Sequence, residues 1–451
     1  GNRWRNEWNL ENFQIPKAHY MSDDFAELEF EKVWMRSWQM VCREEEIAAA
    51  GDYYVYDVGS AEYVVIRQPD GSLRAFSNVC PHRGAALLTG TGHLGGGLLQ
   101  CPYHGWRWGL SGENIRVLDQ KEFRCGKLEA ADVGLHQANV TTWMGWVFIN
   151  PDPDASPFEE HIAPIQHFAA PLEIERQKLR WWRSIRVPAN WKIAMQAFQE
   201  SYHTEAAHPQ LWQAWVKATG SQETTKNRSY DAHANGHGHF GLAAHQGASG
   251  ESTSVYGGKS ILNGEEAIEA FIEEMQVYAG DIDALLLGDE LFVAESLRGK
   301  DIPGGATAVN IGMEYHRSLY ETYKNRGRFI PDPQHLRGII SMTVFPNLIF
   351  MPSFGNMLVY RARPDARRAD SCIFDIYSLR TFAPSAKRKP VSRTNCDIEE
   401  LPMVFKQDFR NVVRVQRGLQ SPDIEDVMLS ERQEVIIWNV HKKLEEMMQA
   451  A

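Results

Sequence analysis

Residues Cys80 to Trp106 read CPHRGAALLTGTGHLGGGLLQCPYHGW. Cys80 and His82 form a C-x-H loop, Cys101 and His104 a C-x2-H loop, and eighteen residues lie between His82 and Cys101. Nothing else in the chain limits its fold as strongly, because two thiols and two imidazoles in such a pattern ask to be brought to one point. Two thiolates and two imidazoles on two loops hold either one tetrahedral zinc or a two-iron cluster. Zinc sites usually pair their ligands as C-x2-4-C and H-x3-5-H, whereas here each loop gives one of each kind. The chain has only six cysteines, at 42, 80, 101, 125, 372 and 396, too few for a disulfide framework in 451 residues. A reducing, cytoplasmic setting is the expectation. Gly90, Gly92 and Gly95 fit G-x-G-x-x-G, but they open no evident helix and are read as turn residues rather than a nucleotide site.

One Cys and one His from each loop is the ligand supply of a Rieske [2Fe-2S] centre, where the cysteines bind one iron and the histidines the other. With its flanks, Pro-His-Arg-Gly and Pro-Tyr-His-Gly-Trp, the stretch resembles the Rieske motif over its whole length. The rival reading is a structural zinc ribbon. A Rieske cluster passes single electrons and offers no open position for substrate, so an electron acceptor is expected elsewhere.

Downstream, NWKIAMQAFQESYHTEAAHPQL brings together Glu200, His203 and His208. Two histidines five residues apart sit about 140° apart on a straight helix, which is poor for one shared ion. Pro209 biases His208 out of the helical conformation and lets it swing back toward His203. A carboxylate would complete the facial triad of non-haem Fe(II) oxygenases. In ELPMVFKQDFRNVVRVQRGL, Leu401, Phe405, Val412, Val415 and Leu419 fall on a helical stripe, and Asp408 stands between Phe405 and Val412. A carboxylate there needs a cation: a metal, or alternatively Arg410 or Arg414. Asp423, Glu425 and Asp426 are the substitutes.

The remaining sequence suggests how these sites are housed. Residues 22–38 read as an amphipathic helix with Ser22 as N-cap. From 42 to 150 short β-rich runs alternate with turns, an all-β domain carrying the Cys/His loops. After NPDPDASPF the texture is mixed α+β to residue 451, with a capping box at Ser430 and Gln433 opening a last helix. The expected division is therefore 1–41, a helical segment packing on the catalytic domain, then 42–150 and 151–451. No segment has the ~18 uninterrupted apolar residues of a membrane helix, so no membrane association is expected. GNRWRNEWNL does not read as a secretory leader. The balance of 47 basic and 58 acidic residues, net −11, argues against a nucleic-acid partner.

The cluster motif, Asn190-Trp191-Lys192, Glu200 through His208, TVFPNLIF and the Asp408 helix together resemble the terminal oxygenase α subunit of a Rieske non-haem iron oxygenase of the ring-hydroxylating type. The resemblance implies an α+β chain: a β-rich Rieske domain and a helix-grip catalytic domain, an antiparallel sheet with helices. It implies a [2Fe-2S] cluster on Cys80, His82, Cys101 and His104, and a mononuclear Fe(II) on His203, His208 and Asp408. It also implies a homotrimer, with or without a small β subunit, in which Glu200 bridges a neighbour's cluster histidine to the iron histidines. Electrons would come from NAD(P)H through a flavin reductase, a ferredoxin or both, and O2 would hydroxylate or oxidatively dealkylate a hydrophobic, aromatic small molecule. Glu200 stands where many members carry Asp, and Gln196 where several carry Asn near the iron.

Four residues are expected to line the substrate pocket: Gln196, His237, His239 and Phe350. In SYDAHANGHGHFGLAAH, His233, Asn235, His237 and His239 share one face if the segment is extended. Met342, Met351 and Phe354 would add apolar walls. A pure electron carrier is the alternative function, but it leaves His203, His208, Asp408 and some three hundred residues without a purpose. A zinc-stabilised binding protein is more remote.

Overall fold

The computed structural model describes residues 13–219, 228–242, 262–332 and 339–449. The chain divides into two compact units, one of residues 26–162 and 365–368, the other of 1–25, 163–364 and 369–451. These divisions differ from those expected at 41 and 150, and strand pairing explains why. Gln39–Arg43 pairs with Trp146–Asn150 and so belongs to the β-rich unit, whereas Gln14–Pro16 pairs with Asp426–Met428 in the other. The helix expected over 22–38 is shorter. Ser22 Oγ accepts from Phe25 N at 3.2 Å, Asp23–Glu29 is α-helical, and Phe30–Trp34 widens into a π-helical turn.

In the β-rich unit seven strands lie side by side in the order Gln39–Arg43, Trp146–Asn150, Gln137–Trp143, Leu73–Ser77, Ala61–Arg67, Asp52–Val58 and Thr91–His93. A smaller sheet joins Leu98–Gln100, Arg107–Gly109 and Asn114–Arg116. Between them lies a core of Val64, Ile66, Phe76, Leu87, Leu99, Trp106 and Trp108 that includes Cys80 and Cys101. The glycine-rich stretch opens no helix. It turns from Thr91–His93 into Leu98–Gln100, with Gly97 at φ +67° donating to Leu94 O.

The other unit is built on an eight-stranded sheet ordered Arg228–Ala232, Gly238–Leu242, Ser341–Val344, Leu348–Ser353, Asn356–Pro364, Cys372–Arg380, Lys178–Val187 and Arg393–Asn395. All neighbours are antiparallel except the last pair. The helix Trp191–Gln196 packs on Asn356–Pro364 and Cys372–Arg380 and against the helix Met403–Gly418. Asn190 caps it, its side chain accepting from Lys192 N while its amide donates to Tyr20 O and Ala369 O. Phe198 stacks on Tyr360 at 4.0 Å and meets Phe374 and Phe409, a floor of aromatic rings under the segment that follows. Burying such rings contributes a few kcal/mol each, ~3–5 for Phe→Ala. A second core joins the helices Glu265–Ile282, Gly288–Glu295 and Ala308–Asn325.

The last helix runs Val435–Gln449. Ser430 Oγ accepts from Gln433 N as expected, but the side chain that reaches back to Ser430 N is Glu434 rather than Gln433. His441 and Glu445 of this helix meet His19 and Tyr20 in a buried polar group, with His19 Nδ1 3.3 Å from His441 Nδ1 and Tyr20 OH 3.1 Å from His441 Nε2. Burial, helped by Lys192, lowers His19 to about 3, and burial pushes Glu445 up to about 7. Both groups are thus favoured in their neutral forms between those values.

Candidate metal centres

The two Cys/His loops turn out to be copies of one backbone device. Each is a Cys-Pro-x-x-Gly turn: Cys80 N donates to Ala85 O and Gly84 N to Cys80 O, and in parallel Cys101 N donates to Trp106 O and Gly105 N to Cys101 O. Gly84 at φ +77° and Gly105 at φ +69° occupy the left-handed region, and space for a Cβ is open at both, so the demand for glycine is conformational. The second loop is the tip of the hairpin Leu98–Gln100/Arg107–Gly109. The turns deliver Cys80 and Cys101 into the core, both buried and close enough for the Cys101 thiol to act on Cys80. Burial pushes the Cys80 thiol up, and Cys101 adds to the effect.

The two histidines come together at the loop tips, their ring centroids 4.6 Å apart. His82 lies flat on Trp106, at 4.9 Å and 6°, and edge-on to Phe123. Its Nδ1 is buried with no hydrogen-bond partner. A buried imidazole nitrogen left without a partner is costly unless something else takes its lone pair. Two buried thiols and two converging imidazoles fit a [2Fe-2S] cluster of the Rieske type.

The second centre draws on distant parts of the chain. His203 precedes the one-turn helix Thr204–Ala207, which ends at His208 in a non-helical conformation, φ −124° and ψ 62°, before Pro209 opens the helix Pro209–Thr219. The break turns His208 toward His203, with ring centroids 5.3 Å apart. Asp408 arrives from the helix Met403–Gly418 and is 4% exposed. Its Oδ1 stands 2.9 Å from His208 Nε2 and 3.5 Å from His203 Nε2. One ligand atom from each of the three lies within 4.8 Å of the others, the single such group among the described residues.

The residues behind this triad set which nitrogen faces it. Glu200 Oε1 accepts from His203 Nδ1 at 2.5 Å, and its Oε2 is held by the backbone N–H groups of Tyr202 and His203. Gln407 Oε1 accepts from His208 Nδ1 at 2.8 Å. Both imidazoles therefore turn Nε2 toward Asp408. Burial lowers His203, yet hydrogen-bonded Glu200, its charge and that of Asp408 outweigh it and leave the imidazole above its ordinary value. The site favours positive charge. Asp408 Oδ1 is buried without a conventional hydrogen bond, and Arg410 and Arg414 are engaged with Glu399 and Asn411 instead. Two imidazoles and a buried carboxylate that asks for a cation fit a mononuclear Fe(II).

The expected stripe on the Asp408 helix is partly different. Leu401 precedes the helix and Val415 is exposed, while Val404 and Phe409 are buried with Phe405 and Val412. Asp423, Glu425 and Asp426 are exposed and take no part in the cluster. The four residues expected to line the substrate pocket have these surroundings. Gln196 donates to Tyr20 OH at 2.8 Å and lies 3.0 Å from His441 Nε2, within the polar group of the last helix. His233 to His239 is not one extended strand: a 3-10 turn at Ala234–Gly236, with Asn235 at φ +60°, folds it into a hairpin. His237 is fully buried and its Nδ1 accepts from Phe345 N, while His239 lies 2.7 Å from His233 Nε2 and packs on Phe168. His245 lies outside the described residues. Phe350 and Met342 are fully buried and face each other in register across adjacent strands, as core residues. Phe354 packs against Tyr315 and His316.

Sequence reasoning missed Gln407, Gln210 and Tyr360. Gln407 Nε2 donates to Gln210 Oε1 at 3.0 Å, and Gln210 Nε2 donates to Gln407 Oε1 at 2.9 Å. Tyr360 is buried, and burial with the charge of Asp408 holds its phenol well above the ordinary value, so it stays neutral. The adjacency of Gln407 to Asp408 and of Gln210 to His208-Pro209 was the available signal.

Comparison with known proteins follows the two units. Residues 37–127 match the Rieske [2Fe-2S] domain, and residues 174–278 and 295–450 match the ring hydroxylating alpha subunit catalytic domain. The carnitine monooxygenase oxygenase subunit of Escherichia coli K12 is 34% identical over 204 residues, 44% of this chain and 53% of that protein. The chain thus spans about half the length of the curated relatives of this kind that it matches. The biphenyl dioxygenase subunit alpha of Paraburkholderia xenovorans LB400 is 25% identical over 420 residues, 89% of this chain and 79% of that one. The solved structure of a quaternary ammonium Rieske monooxygenase superposes with a TM-score of 0.64 at 19% identity, covering 97% of this chain and 95% of the other, which shows the shared fold.

Proposed function

From the premise that the chain belongs to the ring-hydroxylating α-subunit family, whose catalytic domain matches more than half its length, we propose that it is the terminal oxygenase of a multicomponent Rieske system. The observation that carries this reading is the triad of His203, His208 and Asp408, in which both imidazoles turn Nε2 toward one buried carboxylate. A pure electron carrier has no use for that arrangement. When bound, the cluster supplies single electrons and the mononuclear iron supplies O2 activation.

The chain's own residues prepare both tasks. The paired Cys-Pro-x-x-Gly turns fix the cluster thiols in the core and leave the histidines at the tips. Glu200 holds His203 by its Nδ1–H and is itself anchored by two backbone N–H groups, so it is rigid enough to serve as the bridge to a neighbour's cluster. Gln407 performs the corresponding service for His208. The partners of this reading are a separate reductase, with or without a ferredoxin, and further copies of the chain in a trimer.

For the substrate we infer a small molecule with a quaternary ammonium group, in line with the relative that acts on carnitine. We infer Glu274 as the group that would face that cation. It is 1% exposed with Oε2 unpartnered, burial pushes it up to about 8, and its helix packs against Pro209–Thr219 and Met403–Gly418. At about 8 this carboxyl is neutral near pH 7, and a cation placed beside it would favour its charged form. Hydroxylation of an aromatic ring is the second reading, favoured by the long alignment with the biphenyl dioxygenase subunit.

The test is O2 uptake and product analysis with a surrogate reductase, offering carnitine and biphenyl in parallel. Coupled turnover of carnitine, lost in Glu274→Gln, supports the inference; coupled turnover of biphenyl alone moves the substrate to the aromatic class. Reduction of the cluster without O2 uptake on any substrate, in protein shown to hold all its iron, contradicts the oxygenase reading.

A further inference from the structure

The two imidazoles of the triad are held by unlike partners. His203 is backed by a carboxylate, Glu200, whereas His208 is backed by an amide, Gln407. An amide can face a ring nitrogen with either its oxygen or its nitrogen, so on its own it would not define the imidazole's protonation. Here a third residue couples to the choice: a two-bond ring between amides persists only when both keep or both reverse their orientation, so Gln407 cannot turn alone without losing it, and the orientation that leaves the His208 Nε2 lone pair toward Asp408 is the one found. Gln210 takes the Gln407 Nε2–H into its own Oε1 at 3.0 Å and returns an Nε2–H to Gln407 Oε1 at 2.9 Å, forming a reciprocal two-bond ring between the amides. In this orientation Gln407 Oε1 is the atom turned to His208, and it accepts from Nδ1 at 2.8 Å. Nδ1 must then carry the proton, which leaves the lone pair on Nε2, 2.9 Å from Asp408 Oδ1.

We propose that Gln407 and Gln210 act as a clasp that locks the His208 ring and its tautomer for metal binding, making them positioning residues of the mononuclear centre. This rests on the reading of that centre as an iron site. Topology reinforces the point. Gln407 immediately precedes Asp408 on the helix Met403–Gly418, and Gln210 lies two residues beyond His208 on the helix Pro209–Thr219, so the clasp ties together the two chain segments, about two hundred residues apart, that supply two of the three ligands. Outer partners of this kind typically change metal affinity ~10–100-fold when removed.

The inference is tested by metal affinity rather than by turnover. Co(II) is titrated into full-length protein stripped of mononuclear iron, its affinity read by chelator competition and its geometry by visible absorption, with the Rieske absorption as an internal check of folding. Gln407→Leu, which keeps the bulk and removes the acceptor, should weaken Co(II) ~10–100-fold and alter its absorption bands. Gln407→Glu, which keeps an acceptor facing Nδ1, should retain affinity within a few-fold, and Gln210→Leu should fall between the two. Equal affinity in Gln407→Leu and the parent protein overturns the clasp while leaving the iron site standing. Equal weakening by Leu and Glu also overturns it, because packing rather than hydrogen bonding would then be the cause. Absence of Co(II) binding by the parent protein overturns both this inference and the iron-site reading beneath it.

Discussion

The two Cys/His loops and the His203, His208 and Asp408 group solve the same problem, bringing four or three candidate ligands to one point, by opposite means. The cluster site is local: two turns of one design, each closed by a backbone hydrogen bond from glycine to cysteine, place their ligands within a single stretch of chain. The triad is assembled from a broken helix and a helix some two hundred residues later, and its order comes from side chains: Glu200, Gln407 and Gln210. Backbone-encoded geometry should be damaged by changes in φ and ψ, and side-chain-encoded geometry by loss of hydrogen bonds. The two centres should therefore fail independently and for different reasons.

The sharpest way to break that comparison is to remove one ligand from each. Asp408→Ala should lose the mononuclear iron entirely and keep the Rieske absorption, while Cys101→Ser should lose the cluster and keep Co(II) binding at the triad. If either change empties both centres, the two are not independent; metal analysis of the purified variants decides. Glu200→Gln should come next in size. It preserves the shape but removes the charge beside His203, and both metals should remain while single-turnover electron transfer into the mononuclear site slows ~10–100-fold. An unchanged single-turnover rate would remove Glu200 from the path.

A smaller effect tests the backbone half of the comparison. Gly84→Ala and Gly105→Ala should each cost about 1–2 kcal/mol through their left-handed backbone, since neither Cβ meets another atom. Chemical denaturation should show the two losses to be similar, as the twin turns require, with Co(II) affinity at the triad unmoved. A large difference between the two glycines would mean that the loops are alike in outline only.

Much of this contrast explains what could be read from sequence. A site whose ligands lie within twenty-five residues leaves its spacing on the page, and so the Cys80 to His104 pattern carried its own interpretation. Asp408 was legible by a different route, as a carboxylate in an apolar helical stripe, although Val415 is exposed and Val404 and Phe409 join the buried face instead. Gln407 and Gln210 carried no such mark, because a polar residue beside a ligand is also what a solvated helix face looks like. The shared face expected of His233, Asn235, His237 and His239 does not form, for a physical reason: alternation implies it only in an extended chain, and Asn235 at φ +60° turns the chain between His233 and His237. Gln196 points into contacts made by Tyr20 and His441, partners too remote in sequence to be anticipated.

A further prediction concerns pH. In the unit that carries the triad, Glu445 rises to about 7 in the fold from an ordinary 4.5, so the unfolded chain gives up that proton first as pH increases, and stability is lost as pH rises from about 4.5 to 7. His19 falls to about 3 from 6.5, so the unfolded chain gains a proton first as pH decreases, and stability is lost from about 6.5 down to 3. Glu445→Gln should therefore raise the melting temperature relative to the parent more at pH 8 than at pH 4.5. An offset independent of pH would show that Glu445 does not titrate in this window.

The central claim, that one chain holds an electron-transfer cluster and a separate oxygenase iron, is tested most directly by iron, zinc and acid-labile sulfide per chain on anaerobically purified protein, with the EPR spectrum of the reduced sample. The account predicts about three irons, about two sulfides, a Rieske signal and little zinc. Two irons that stay at two after Fe(II) is added back, or zinc in place of iron and sulfide, would contradict it.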